Sequence, residues 1–285
     1  MPQPLQRFLR DPSALLGLAI ITVAAAAALL APLLAPQGPT LVDLERRLAS
    51  PDRHFWLGAD HLGRDVLSRV LYGARTTLGA AGLTLSVIMV IAVLVGILAG
   101  YHGGWLDTML MALADLLLAF PALVLALAIA GTLGPSLLNV MMAVALVWWA
   151  GYARLIRGMV LSVRQREFVE AARAVGAGDW RIMVHHVLRN ILGPMVVLVT
   201  LDMGLIILGL SGLSFLGLGS QPPTPEWGAM LNDGRPFLQS APRLMLYPGA
   251  AICLVVLGFN LLGDGLRDLL DPTVVHGWKS PRRPG

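Results

Sequence analysis

The residues able to do specific chemistry in this chain cluster between Arg166 and Asp179. Phe168, Ala171, Ala172 and Val175 recur at i, i+3, i+4 and i+7, which places them on one face of a short helix over residues 166–175. Arg166, Glu167, Glu170 and Arg173 occupy the other face. Gly176-Ala177-Gly178 stops that helix, because glycine accepts the left-handed backbone of a helix end. Asp179 is placed to cap a second helix running through Trp180 to Leu188. Such a unit offers docking. Alanines let another backbone approach closely, and the flanking charges set its orientation. An interfacial helix lying on lipid headgroups is the competing reading, but such helices present larger apolar side chains than alanine.

Covalent chemistry is poorly served. A nucleotide-binding loop needs a Gly-Lys pair at its phosphate cradle. Lys279 is the only lysine and follows Trp278. His185-His186 lacks the H-E-x-x-H spacing of a zinc protease. No G-x-S-x-G occurs, and Asp264 has no evident partner for an aspartyl protease. No catalytic residue, resident metal or cofactor is therefore expected on the chain. His54 and His61 read as ordinary loop histidines, although imidazole suits nickel.

Two acids, Asp115 and Asp202, fall within apolar runs. An acid at hydrocarbon depth is costly and should face a bundle interior or a watery path. They are candidates for lining a translocation path, with a buried acid bonded to a neighbouring helix as the alternative. Pro222, Pro223 and Pro225 forbid a regular helix just before Glu226 and Trp227, so residues 221–242 are expected to form a rigid, irregular loop.

The elements that position these residues follow from composition. The chain has 285 residues, of which 56% are hydrophobic and 13% charged, about half the charge of a soluble domain. Six apolar runs stand out at about 14–35, 77–100, 109–131, 137–153, 191–218 and 244–263. Runs near 20 residues span hydrocarbon, and the backbone inside them must be helical. The expected fold is all-α, a polytopic membrane bundle of about six transmembrane helices. Residues 14–35 exceed the h-region of a signal peptide and read as a retained first span, although their alanine-rich end is compatible with cleavage. The glycines of the fifth run, Gly204, Gly209, Gly212, Gly217 and Gly219, suit close helix packing.

The net charge of +4 and pI near 9.8 do not point to nucleic acid, since the basic residues lie between apolar runs. With both termini in the cytosol, thirteen of the 21 Lys and Arg residues fall inside, seven of them between Arg154 and Arg189. That bias favours this orientation. The division expected is an N-terminal segment at 1–76, a core at 77–271 carrying a cytosolic loop at 154–190, and a cytosolic tail at 272–285. Cys253, the one cysteine, excludes an intrachain disulfide.

Glu170-Ala171-Ala172 followed by Gly176 resembles the EAA loop of permeases in binding-protein-dependent ABC importers. That pattern ends Ile-x-Leu-Pro, where this chain has His186-Val187-Leu188-Arg189. The segment from Trp56 to Asp65, WLGADHLGRD, and the segments GYAR at 151–154, PPTPEWG at 222–228 and NLLGDGLRD at 260–268 look like the dipeptide, oligopeptide and nickel permeases, specifically the C-type subunit. The resemblance covers nearly the whole chain and implies a type I permease in the inner membrane. It implies a second permease subunit, cytosolic ATPases carrying ATP and Mg, and an extracytoplasmic solute-binding protein. Arg166, Phe168, Glu170, Ala171, Ala172, Val175, Gly176, Gly178 and Asp179 would couple to the ATPase. Residues 164–169 and 200–204 look somewhat more like nickel members, while the proline loop looks equally like dipeptide members. Peptide import is the first expectation, nickel or a nickel chelate the second, and a proton-coupled secondary transporter a remote third.

Overall fold

The computed structural model describes residues 8–270; the expected tail at 272–285 lies outside them. Helix α1 (Pro12–Leu29) starts at Asp11, whose carboxylate accepts the Ser13 N–H at 2.9 Å. Pro12 fills the first helical position, where its missing N–H costs nothing. After a break at Leu30 comes the short α2 (Ala31–Leu34), so the first span ends earlier than residue 35.

The expected second span and the amphipathic stretch before it are one continuous helix, α3 (Val66–His102). It is about 55 Å long at 1.5 Å per residue, well beyond the hydrocarbon thickness. The division expected at residues 76 and 77 falls inside it. The expected third span is broken into α4 (Gly104–Leu118) and α5 (Ala122–Leu133), bent by 84°. Pro121 causes the break, because it cannot donate an N–H and it drives Phe120 out of the helical region.

Helix α6 (Leu137–Arg164) overruns its expected end at Ala153 by eleven residues. A short α7 (Glu167–Ala174) follows. The second loop helix is not separate: α8 (Asp179–Phe215) runs straight on into the fifth span, with wider π-type turns across Ile182–Leu188. The proline loop contains a regular helix after all, α9 (Trp227–Gly234), which begins two residues past Pro225. Helix α10 (Arg243–Leu270) closes the described chain. Five of these helices are long and apolar enough to cross a membrane, and α4 with α5 makes a sixth if taken as one span.

The core runs along the crossing of α3 and α6, with Leu85, Ile88, Ala150, Ile156 and Val160 buried between helices. Lipid tails give no hydrophobic drive to helix pairing, so backbone approach decides it. A Cβ at Gly96 would lie 2.8 Å from the Ala153 carbonyl, and one at Gly100 would lie 2.9 Å from Val160. Helix α1 packs across α10, which packs on α8. The fifth-run glycines divide. Gly204 packs on Val256, Gly209 lies against the Trp148 ring, and Gly219 sits on Ser214, but Gly212 faces open space.

Candidate docking site and its supports

Helix α7 stands at the end of the bundle, between the last turn of α6 and the first of α8. Its N-terminal cap position is Arg166, in extended backbone. Its C-terminus closes in a Schellman arrangement: Gly176 N–H donates to the Arg173 carbonyl at 2.9 Å and Ala177 N–H to the Ala172 carbonyl at 3.0 Å. Gly176 sits at φ +81°, as the glycine stop requires. Gly178, not Asp179, is the cap residue of α8.

The expected single apolar face is split. Val169 and Ala172 turn inward and are buried, with Ala177 packed beside them. Phe168, Ala171 and Val175 turn outward, as do Glu170 and Arg173. Val175 is 84% exposed and Trp180, at the start of α8, 72% exposed. The sequence pattern included Ala172 but missed Val169, which falls on a second apolar stripe that the i, i+3, i+4 count from Phe168 skips. The Phe168 ring lies 6.3 Å from the His186 ring.

Asp179 has a different role from the expected cap. Its carboxylate accepts the Tyr101 hydroxyl at 2.6 Å, fastening the α7–α8 turn to the last turn of α3. The Arg173 guanidinium lies over the same tyrosine ring, 5.4 Å from its centre. Arg164, at the end of α6, donates to the carbonyls of Gly100 and Tyr101, each at 2.8 Å. It thereby satisfies two orphan carbonyls at the α3 C-terminus, where a cation also suits the helix dipole. Further up α6, Arg157 grips Asp107 of α4 in a two-point pair at 2.5 and 2.6 Å.

The two membrane-depth acids do not meet each other; both are matched by α6. Asp115 pairs with Arg154, and both side chains are about half exposed. Asp202 is half-buried on α8 beside Tyr152.

The opposite end of the bundle is built from buried charge. Asp60, in the loop before α3, binds Arg64 at 2.6 Å and Arg69 at 3.4 Å, and both arginines reach Asp233 of α9. Arg64 is 1% exposed. Pro223 O accepts from Arg69 at 3.4 Å. The Glu226 carboxylate is buried and caps α9, accepting N–H groups of Gly228 and Ala229 at 2.8 Å each. Burial pushes its pKa up, against the pull of those two N–H groups. Trp227 donates its indole N–H to the Val70 carbonyl at 2.9 Å, joining α9 to α3.

A set of apolar helices of spanning length, with a capped helix held outside them and its apolar side chains uncovered, defines a multi-pass membrane protein. The chain belongs to the family described as binding-protein-dependent transport system inner membrane component, whose model matches residues 92–276. Residues 4–51 match the N-terminal transmembrane domain of oligopeptide transport permease C. The chain is 46% identical over 259 residues to the dipeptide transport system permease protein DppC of Alkalihalophilus pseudofirmus, covering 91% of this chain and 85% of that one. It is 44% identical over 260 residues to the nickel transport system permease protein NikC of Escherichia coli, covering 91% and 94%. It is 43% identical over 268 residues to the glutathione transport system permease protein GsiD of Pectobacterium atrosepticum, covering 94% and 89%. The chain is thus a permease subunit of an importer, as the loop motifs suggested.

Proposed function

We propose that this chain forms half of the pore of an importer for dipeptides and short oligopeptides, driven by a separate ATPase that docks on α7. The carrying observation is the outward face of Phe168, Ala171, Val175 and Trp180, held on a capped helix and left uncovered. Glu170 and Arg173 flank that face and orient the ATPase. The chain itself is non-catalytic, and ATP with Mg belongs to the ATPase. Both termini and the 154–190 loop lie in the cytosol. A second permease subunit completes the pore, with Asp115 and Asp202 on its path. The extracytoplasmic segment carrying Pro222, Pro223, Glu226 and Trp227 faces the solute-binding protein.

The peptide reading is supported by the dipeptide and glutathione relatives, since glutathione is itself a tripeptide. Nickel, as cargo, is the second reading, and the nickel relative at nearly equal identity favours it. The test is uptake of labelled dipeptide into liposomes holding both permeases, the ATPase and the binding protein. ATP-dependent uptake is expected. Uptake by this chain alone would refute the reading and favour a secondary transporter. A cognate binding protein that holds a nickel chelate and no peptide would select the second reading.

A further inference from the structure

We propose that the Asp107–Arg157 pair transmits movement of the docking loop to the broken helix α4–α5. The inference rests on the coupling role proposed above for α7.

Helix α4 has little else to hold it. Ala114 is its one fully buried residue among the described residues, and Leu117 is partly buried against the core, so apolar packing holds it less firmly than α3 or α6. In lipid, apolar contact alone gives no net drive to pairing. Its polar links to α6 among the described residues are Asp107–Arg157 and Asp115–Arg154. The second is half exposed on both sides and correspondingly weak. The first is more enclosed, with side-chain exposures of 16% for Asp107 and 31% for Arg157. Its two parallel bonds fix orientation as well as distance. Asp107 also lies in the first turn of α4, where a negative charge suits the helix dipole.

The pair lies where the loop's own anchors converge. Arg164, two turns beyond Arg157 on α6, grips the end of α3. Tyr101, in that end of α3, holds Asp179 and carries Arg173. Displacing α7 therefore displaces the ends of α3 and α6 together, and Arg157 passes the displacement to the start of α4. The break at residues 119–121 follows about 18 Å along that helix. A shift at Asp107 thus changes the angle at the break, and with it the placement of α5.

The test uses the complete complex in liposomes, with solute uptake and ATP hydrolysis measured together per assembled complex. Asp107→Asn and Arg157→Lys each remove the two-point grip. Uptake per ATP should fall about tenfold, within the ordinary range of coupling free energies, while ATPase co-purification and hydrolysis hold at wild-type levels. A pair that only supports the fold would lower hydrolysis and uptake in proportion, leaving uptake per ATP unchanged, and that result overturns the proposal. A second arm places Asp107→Cys and Arg157→Cys in a Cys253→Ser background and bridges them with a short bis-methanethiosulfonate. Bridging should restore uptake per ATP and reduction should abolish it; equal values in both states overturn the proposal. A wild-type complex without ATP-dependent uptake would instead refute the functional reading, so the two failures stay distinct.

Discussion

Gly176 offers a graded test of the docking helix. Its φ of +81° costs an L-residue about 1–2 kcal/mol. A Cβ built there meets nothing within 4 Å, so the cost is backbone strain without any clash. Asparagine tolerates this region, alanine less well, and a β-branched valine worst. Relief of the strain requires the last turn of α7 to unwind, which breaks the bonds from Gly176 and Ala177 and swings Val175 out of place. If the ATPase accepts only the capped form, the strain reappears as lost affinity. At 1.4 kcal/mol per decade, Gly176→Val should weaken ATPase binding by about 5–30-fold. Gly176→Ala should fall between, and Gly176→Asn should stay within about threefold. Titration of the ATPase against detergent-purified permease gives the affinities, and the thermal midpoint of the permease alone controls for the bundle. Equal affinities across the series, with an unchanged midpoint, would refute the idea that this cap shapes the docking surface.

Val175 is almost fully exposed, so Val175→Glu should leave the bundle's thermal midpoint unchanged yet weaken ATPase capture by at least about tenfold; normal co-purification would count against the docking face. Gly96→Leu must push α3 off the Ala153 carbonyl and should cost about 1–3 kcal/mol, read as a lower thermal midpoint. Gly79→Ala, whose Cβ meets nothing, should not lower it. Glu226 has a native pKa raised by burial, so the folded protein binds more protons than the unfolded chain above the ordinary value of 4.5. The stability it contributes is full below 4.5 and is lost as pH rises through the native value. The wild-type midpoint minus that of Glu226→Gln should therefore decline as pH rises across that window, and a flat difference would refute the buried-carboxylate account.

The spans were legible because lipid imposes one rule: apolar length and helix go together. The glycine stop at residue 176 was legible because glycine adopts that backbone without strain. What stayed hidden was long-range pairing. Tyr101 and Asp179 are 78 residues apart, and nothing in the periodicity of either segment names the other. Arg64 and Asp233 are 169 apart, and nothing in the sequence around either one names the other. Helix ends failed for a related reason. Hydropathy falls at Ala153 and Asn190, yet α6 and α8 continue outside the apolar zone, where Arg157 and Arg164 of α6 find partners on α4 and α3 and Asp179 of α8 accepts from Tyr101. Residues 221–242 misled because Pro222, Pro223 and Pro225 crowd their start, while the helix begins only after that cluster, under the cap of Glu226.

The two ends of the bundle resist motion very differently, and that difference bears on how such a permease works. At the far end, buried Asp60 pairs with buried Arg64 and Arg69, and both arginines reach the partly exposed Asp233. Removing one partner of a buried pair costs about 3–5 kcal/mol. The loop before α3, the start of α3 and α9 must therefore move as one piece or not at all. Arg243 extends the set to α10 by donating to the carbonyls of Leu48 and Ala49. At the α7 end, the polar fastenings of the loop itself are one hydroxyl–carboxylate bond, worth about 1.5–3 kcal/mol, and one guanidinium over a ring, worth about 1 kcal/mol, beside the buried Val169 and Ala172. A docking protein that supplies a few kcal/mol can shift α7 against such contacts without disturbing the far end. Among the described residues, one pair of helices that together make a span is bent sharply, at Pro121. The far end then serves as the frame, and α4 with α5 is the part free to swing against it.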